Sequence, residues 1–238
     1  MTYSYKINTF PFENEYNKLY PQIPPTPDQI CVIFYPASGG HLIGMLLSCD
    51  KQFYGKEHAQ RIIEKFDESY DPKTSKTGWM SHHNLVHPSI FIGHPRWFPF
   101  DFYLSLNKIV RVQYSAQNDE ETKFLKYRLT FLRNSSVLNL PMAETQYFYE
   151  HELFKFLDSN NKKYHNIPFG SFLNKTDFVE KINNLFHYFN LELLDTEILK
   201  KIHSSWMKEN NRQFKKAKTL TEEDQSIRWD DPADNLPN

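Results

Sequence analysis

The residues that could do chemistry gather around one short stretch, Pro36-Ala37-Ser38-Gly39-Gly40 with His41 behind it. An apolar run, Ile30-Cys31-Val32-Ile33-Phe34-Tyr35, leads into it, and Leu42-Ile43-Gly44-Met45-Leu46-Leu47 leads out as the start of a buried helix. A turn of small residues between a strand and a helix exposes several backbone N–H groups, and the helix dipole adds positive potential at the same place. That arrangement suits a phosphate or a sulfate, with Gly39 and Gly40 letting the backbone approach the oxygens. For the glycines alone, an ordinary tight strand-to-helix turn is an equally good account. No Lys follows Gly40, so the Walker A pattern is absent, and with it the phosphate-bridging Lys and the Mg²⁺-binding hydroxyl. The dinucleotide pattern G-x-G-x-x-G is absent too. Nucleotide hydrolysis and a nucleotide or sugar kinase are both disfavoured.

Other candidates carry less. His94 follows the run Ile90-Phe91-Ile92-Gly93 and by itself reads as a histidine closing a strand end. His83 and His87 have the four-residue spacing of a helical metal pair, with His82 beside them, but Asn84 and Pro88 make this a loop and no third ligand is evident. No metal site is expected. Trp97 to Tyr103 is an aromatic cluster suited to covering a sheet, with an acceptor or base-stacking pocket as the sharper reading. Cys31 lies inside a strand and Cys49 ends an apolar helix, so they read as buried thiols with no disulfide framework and a reducing compartment. No Ser-His-Asp elbow or Cys-His pair is present.

The elements that must position these residues follow from periodicity. Residues 30–35 are apolar on both faces, as a central parallel strand requires. Further strands are expected over 88–93, 108–114 and 164–168. Helices are expected over 57–70, 119–133 and 144–157, the second with an acid-rich start that the macrodipole favours. Asp177 with Glu180 suggests a cap for a helix carrying Phe178, Val179, Ile182, Leu185, Phe186 and Phe189. A last helix starts near Asp195 with Ile198, Leu199, Ile202 and Trp206 inward. Strands alternating with helices make this an α/β chain with a mainly parallel sheet. The expected organisation is an extended, proline-bearing arm over 1–29, an α/β domain over 30–214 and a polar tail over 215–238.

Composition narrows the function classes. The 238 residues are 39% hydrophobic and 24% charged, which excludes a disordered or collagenous chain. A net charge of −1 supplies no global field for nucleic acid or acidic lipid, so no dedicated nucleic-acid binding is expected. No stretch approaches the ~20 apolar residues of a membrane span, and the first residues lack the apolar core of a signal peptide. A cytoplasmic protein is expected. The abundance of Lys, Asn, Tyr, Phe and Ile, whose codons are A/T-heavy, points to an AT-rich genome such as that of a virus or a marine bacterium.

The stretch Tyr35-Pro36-Ala37-Ser38-Gly39-Gly40-His41-Leu42, followed by Leu46-Leu47, resembles the phosphosulfate-binding loop of the sulfotransferases. There a strand enters a Pro-Lys-Ser-Gly-Thr-Thr-Trp type turn and a helix with paired leucines. Pro36, Ser38 and Gly39 match, and Gly40 and His41 stand at the two threonines. Ile90-Phe91-Ile92-Gly93-His94-Pro95 is similar to the family's Lys-Thr-His-x-Pro type segment, whose His is the catalytic base. Ile167-Pro168-Phe169 and the two helices ending at Trp206-Met207-Lys208 resemble its closing elements. In element order the likeness runs from about residue 30 to 212.

The resemblance implies a three-layer, P-loop-like α/β fold that binds 3′-phosphoadenosine 5′-phosphosulfate (PAPS) without a metal. Ser38, Gly39, Gly40 and His41 would hold the sulfate and the 5′-phosphate. His94 would take the proton of an attacking hydroxyl or amine, a role suited to imidazole with a pKa of about 6.5. The departures are specific. Ala37 replaces the loop Lys, and Tyr114 stands where an Arg binds the nucleotide 3′-phosphate. Thr122 stands in for a Ser on the next helix. Arg96 could supply cationic help, and Lys123 or Lys126 could reach a phosphate. Two readings remain open. One is a sulfotransferase-like enzyme acting on an unidentified small-molecule or glycan acceptor. The other is an inactive binding or structural module on the same fold, viral in one version; the missing Lys and Arg favour it, and the retained Ser-Gly turn and His94 favour the enzyme. The arm offers a route to homo-oligomers.

Overall fold

The computed structural model describes residues 26–35, 38–67, 84–93, 98–134 and 140–223. Among them are four strands and seven α-helices. In chain order they are β1 (Ile30–Phe34), α1 (Gly40–Leu47), α2 (His58–Asp67), β2 (Ile90–Gly93), α3 (Phe100–Leu104), β3 (Lys108–Gln113), α4 (Asp119–Asn134), α5 (Leu140–Ser159), β4 (His165–Pro168), α6 (Lys175–Tyr188) and α7 (Thr196–Glu223). A 3₁₀ turn, Phe169–Phe172, joins β4 to α6. The strands form one parallel sheet in the order β2-β1-β3-β4, so the chain is α/β.

β1 is buried along its whole length and pairs with β2 on one side and β3 on the other. Its alternate residues enter two separate cores. Ile30, Val32 and Phe34 pack with residues of α1, α2, α4, α6 and α7. Cys31 and Ile33 pack with Tyr103 of α3 and Leu153, Phe154 and Leu157 of α5. Helices therefore cover both faces, which is why the sequence of this strand is apolar without alternation. The aromatic segment after β2 does what covering the sheet requires: Phe98, Phe100 and Phe102 pack on the α3–α5 core, while Trp97 lies outside the described residues.

Several boundaries differ from expectation for local reasons. The N-cap of α6 is Asn174, not Asp177, because the Asn174 Oδ1 accepts from the backbone N–H groups of Thr176 and Asp177 at 2.8 and 3.2 Å. Asp177 sits instead in the first turn, where its charge suits the dipole. α3 was not anticipated; Pro99, with φ −56, sets up its entry. α7 runs to Glu223, so 215–223 of the segment read as polar tail are its last turns. Residues 1–25 and 224–238 lie outside the described set.

One buried ion pair pins α5 to the sheet. Arg111 of β3 donates from Nε to Glu150 Oε1 at 2.6 Å, and its guanidinium lies 4.4 Å from the Phe154 ring centroid. The Glu150 side chain is only 1% exposed. Burial pushes its carboxyl above the usual carboxylate range, and the Arg111 charge pulls it back down. Removing one partner strands the other charge in the core. Glu150→Ala should therefore cost about 3–5 kcal/mol, whereas replacing both partners, as Arg111→Met with Glu150→Leu, should cost far less. Urea denaturation of the three proteins checks this.

Candidate functional site

The strand order reverses direction beside β1: the chain passes from β1 to β2 on one side, then crosses to β3 and β4 on the other. In open parallel sheets the crevice for ligands lies at the carboxyl ends of the strands flanking such a point. Here those ends belong to β1 and β3. The rings that follow them, Tyr35 and Tyr114, stack at 5.1 Å with an interplanar angle of 26°.

Past Tyr35 the chain turns into α1. Ser38 is fully buried, and both its N–H and its Oγ–H donate to the Tyr35 carbonyl, at 3.0 and 2.7 Å. The hydroxyl proton is thus committed to closing the turn rather than offered outward. Gly39 has φ 87, in the left-handed region where an L side chain is strained. Gly40 opens the helix. The end of α1 has no side-chain cap and no acidic residue in its first turn, so its positive end is unneutralised by its own sequence. His41 is half-buried and meets the Phe34 ring edge-on at 5.4 Å.

Packing supplies a strong reason for both glycines. A Cβ on Gly40 would lie 2.1 Å from the Phe34 ring, and one on Gly39 would lie 2.8 Å from Phe172 and 3.8 Å from Trp206. The turn is pressed onto aromatic side chains. Its glycines are therefore required by the fold whether or not an anion binds.

The start of α4 differs sharply from that of α1. Asn118 caps it, accepting from the N–H groups of Glu120 and Glu121 at 3.0 and 3.1 Å. Glu121 is buried, and its carboxylate accepts from the Ser115 N–H at 2.8 Å and from the Gly170 backbone. Burial raises its pKa and those two bonds oppose the rise. Thr122, read as a phosphate-binding hydroxyl, lies 2.9 Å from the Tyr114 hydroxyl and 3.4 Å from the Ala116 carbonyl. With Asp119, Glu120 and Glu121 all in this first turn, the protein's own carboxylates occupy the anion-favouring end of α4. The acid run read from sequence as a helix start was the signal for this, but burial of Glu121 among Ser115 and Gly170 was not deducible from it.

The structure thus brings Ser38, Gly39, Gly40 and His41 together at the carboxyl end of β1, while Thr122 is paired with Tyr114, whose ring stacks on Tyr35. His94 and Arg96, with Pro36 and Ala37, lie outside the described residues. Of the histidines read as a metal pair, His87 is turned to structure: its ring packs on Phe53 and Tyr54 and its Nδ1 accepts from the Ser89 N–H. Among the described residues no group of three or more His, Cys, Asp or Glu could hold a metal ion, and no helix is long and apolar enough to cross a membrane. Both cysteines are free and buried, and burial pushes their thiols well up. Compared with protein-family models, with curated proteins and with solved structures, the chain finds no match.

The wall behind the turn contains a buried histidine. His203 is 4% exposed, its Nε2 lies 2.8 Å from the Phe172 carbonyl, and its Nδ1 has no partner among the described residues. Burial lowers its pKa from 6.5. The unfolded chain therefore binds the proton first, and stability falls as pH drops from about 6.5 toward the lowered native value. In thermal melts from pH 7 down, His203→Gln should show a shallower loss of Tm than the parent protein. At the turn, Gly40→Ala forces a methyl into the Phe34 ring and should cost about 1–3 kcal/mol, read from chemical denaturation.

Proposed function

We propose that this chain binds a phosphosulfate or bisphosphate nucleotide at the turn after β1, in the manner of the sulfotransferases it resembles. The observation that carries this reading is the start of α1: uncapped, free of acid in its first turn, and set at the carboxyl end of a central strand where the sheet order reverses. PAPS would place its sulfate and 5′-phosphate against the backbone of Ser38 to His41. In the active version of this reading, His94 accepts the proton of an acceptor hydroxyl or amine while that oxygen or nitrogen attacks sulfur. Adenosine 3′,5′-bisphosphate then leaves. Ala37 and Tyr114, in place of a Lys and an Arg, weaken the charge stabilisation available for that step.

A second reading is favoured by the buried Glu121 carboxylate at the start of α4 and by the commitment of Thr122 to Tyr114. Both oppose a second phosphate there. In this reading the chain is an inactive sulfotransferase-fold module whose turn serves the fold.

Calorimetric titration with adenosine 3′,5′-bisphosphate, with ATP as control, separates the two. Micromolar binding that prefers the bisphosphate is the expected result, and His94→Ala should then abolish sulfuryl transfer from PAPS while leaving that affinity unchanged. Absence of binding to either nucleotide at millimolar concentration would overturn the first reading in favour of the second.

A further inference from the structure

A second anion-seeking group lies one aromatic ring away from the turn. α4 and α7 pack against each other through Phe124 and Trp206, whose rings stack at 5.6 Å. One turn further along α4, Arg128 places its guanidinium 5.9 Å from the Trp206 ring centroid. Its Nε and Nη1 are closed to solvent and meet no acceptor among the described residues. The acid that acts on it is Glu209 of α7, but that carboxylate is hydrogen-bonded to Arg212, through Nε at 2.9 Å and through Nη2. Arg212 in turn donates to the carbonyls of Phe66 and Asp67, at the end of α2, and so has its own structural task.

A guanidinium whose Nε and Nη1 are both sealed and unpaired is costly. It also cannot escape by losing its proton: burial draws Arg128 down only to about 10, with Glu209 opposing the fall. At neutral pH the group stays charged. What would complete it is an acceptor carrying negative charge.

We propose that Arg128 is an anion-binding residue, which takes an oxyanion of the phosphate or sulfate class between α4 and α7 against Trp206. Trp206 is also the indole that lies 3.8 Å from where a Gly39 Cβ would be. The anion would therefore sit on the same side of the sheet as the turn, with the indole between them. This site stands on α4 and α7 and does not depend on sulfuryl transfer or on the start of α1.

The test is thermal unfolding of the full chain in chloride, then in inorganic phosphate, in sulfate and in adenosine 3′,5′-bisphosphate at matched ionic strength. For the parent protein, Tm should rise with phosphate or sulfate concentration as mass action requires. A rise with the bisphosphate alone would assign the site to the phosphate of an organic ligand rather than to a free ion. In Arg128→Met the apparent affinity should fall by at least about tenfold. Its Tm in chloride should equal or exceed that of the parent, because an unmatched buried charge has gone. A parent protein whose Tm ignores all three anions overturns the proposal, and that arm decides even if the variant fails to fold. So does an Arg128→Met protein that responds like the parent. Bisphosphate binding that survives Arg128→Met unchanged would remove this site and leave the role of the β1 turn standing.

Discussion

A strand apolar on both faces is stable only if something apolar covers it above and below, and β1 imposes that condition on the whole molecule. Ile30, Val32 and Phe34 demand one layer of helices while Cys31 and Ile33 demand another. Parallel partners on both edges satisfy its backbone, and parallel pairing in turn requires crossover segments long enough to hold the helices that do the covering. The same strand fixes where the chain must turn. Phe34, its last residue, leaves no room for a side chain on Gly40, and Phe172 leaves none on Gly39. The exit from β1 is thus determined by packing before any ligand is considered.

This constraint shapes how the candidate site is to be understood. Glycines in a strand-to-helix turn suggest close approach of an anion, yet here two aromatic rings already explain them. What the rings do not explain is the character of the two helix starts at this end of the sheet. α1 begins without cap or acid, while α4 begins with a capping Asn118 and three acidic residues, one of them buried. Oxyanion binding and acid self-capping use the same N–H groups and the same dipole. A helix start that has taken the second option is a poorer host for the first. The asymmetry concentrates the case for a ligand on α1 and away from Thr122.

The side of the sheet that carries α4 and α7 is also where charge is least comfortably housed. Arg111 of β3 and Glu150 of α5 are matched at 2.6 Å. Among the described residues the Nε and Nη1 of Arg128 have no acceptor, and the Nδ1 of His203, on the same aromatic wall, has no partner. Phe124, Phe172 and Trp206 form the low-dielectric surroundings that make both situations expensive. Natural cores retain few unsatisfied polar groups, so a cluster of them beside a candidate crevice is physically informative.

Much of this was legible in the residues alone. The unbroken apolar run of β1, the helical spacing of Phe178, Val179, Ile182, Leu185 and Phe186, and the helix start near Asp195 depend on near neighbours, and near-neighbour periodicity determines local structure. The structure adds that Asp195 caps that helix, its Oδ1 accepting from the N–H groups of Glu197 and Ile198. The α/β class followed from the same alternation. Other features could be decided only by tertiary structure, because they depend on which side chains meet once helices pack on the sheet, whatever their separation in the chain. Gly40 needs Phe34, Gly39 needs Phe172, and Thr122 is turned toward Tyr114. Glu121 is buried beside Gly170, and the Nε and Nη1 of Arg128 are sealed without an acceptor among the described residues while Arg212 bonds both Glu209 and the end of α2. Spacing along a sequence records which side chains share a face; which of them are satisfied once two faces meet is a property of the packed molecule.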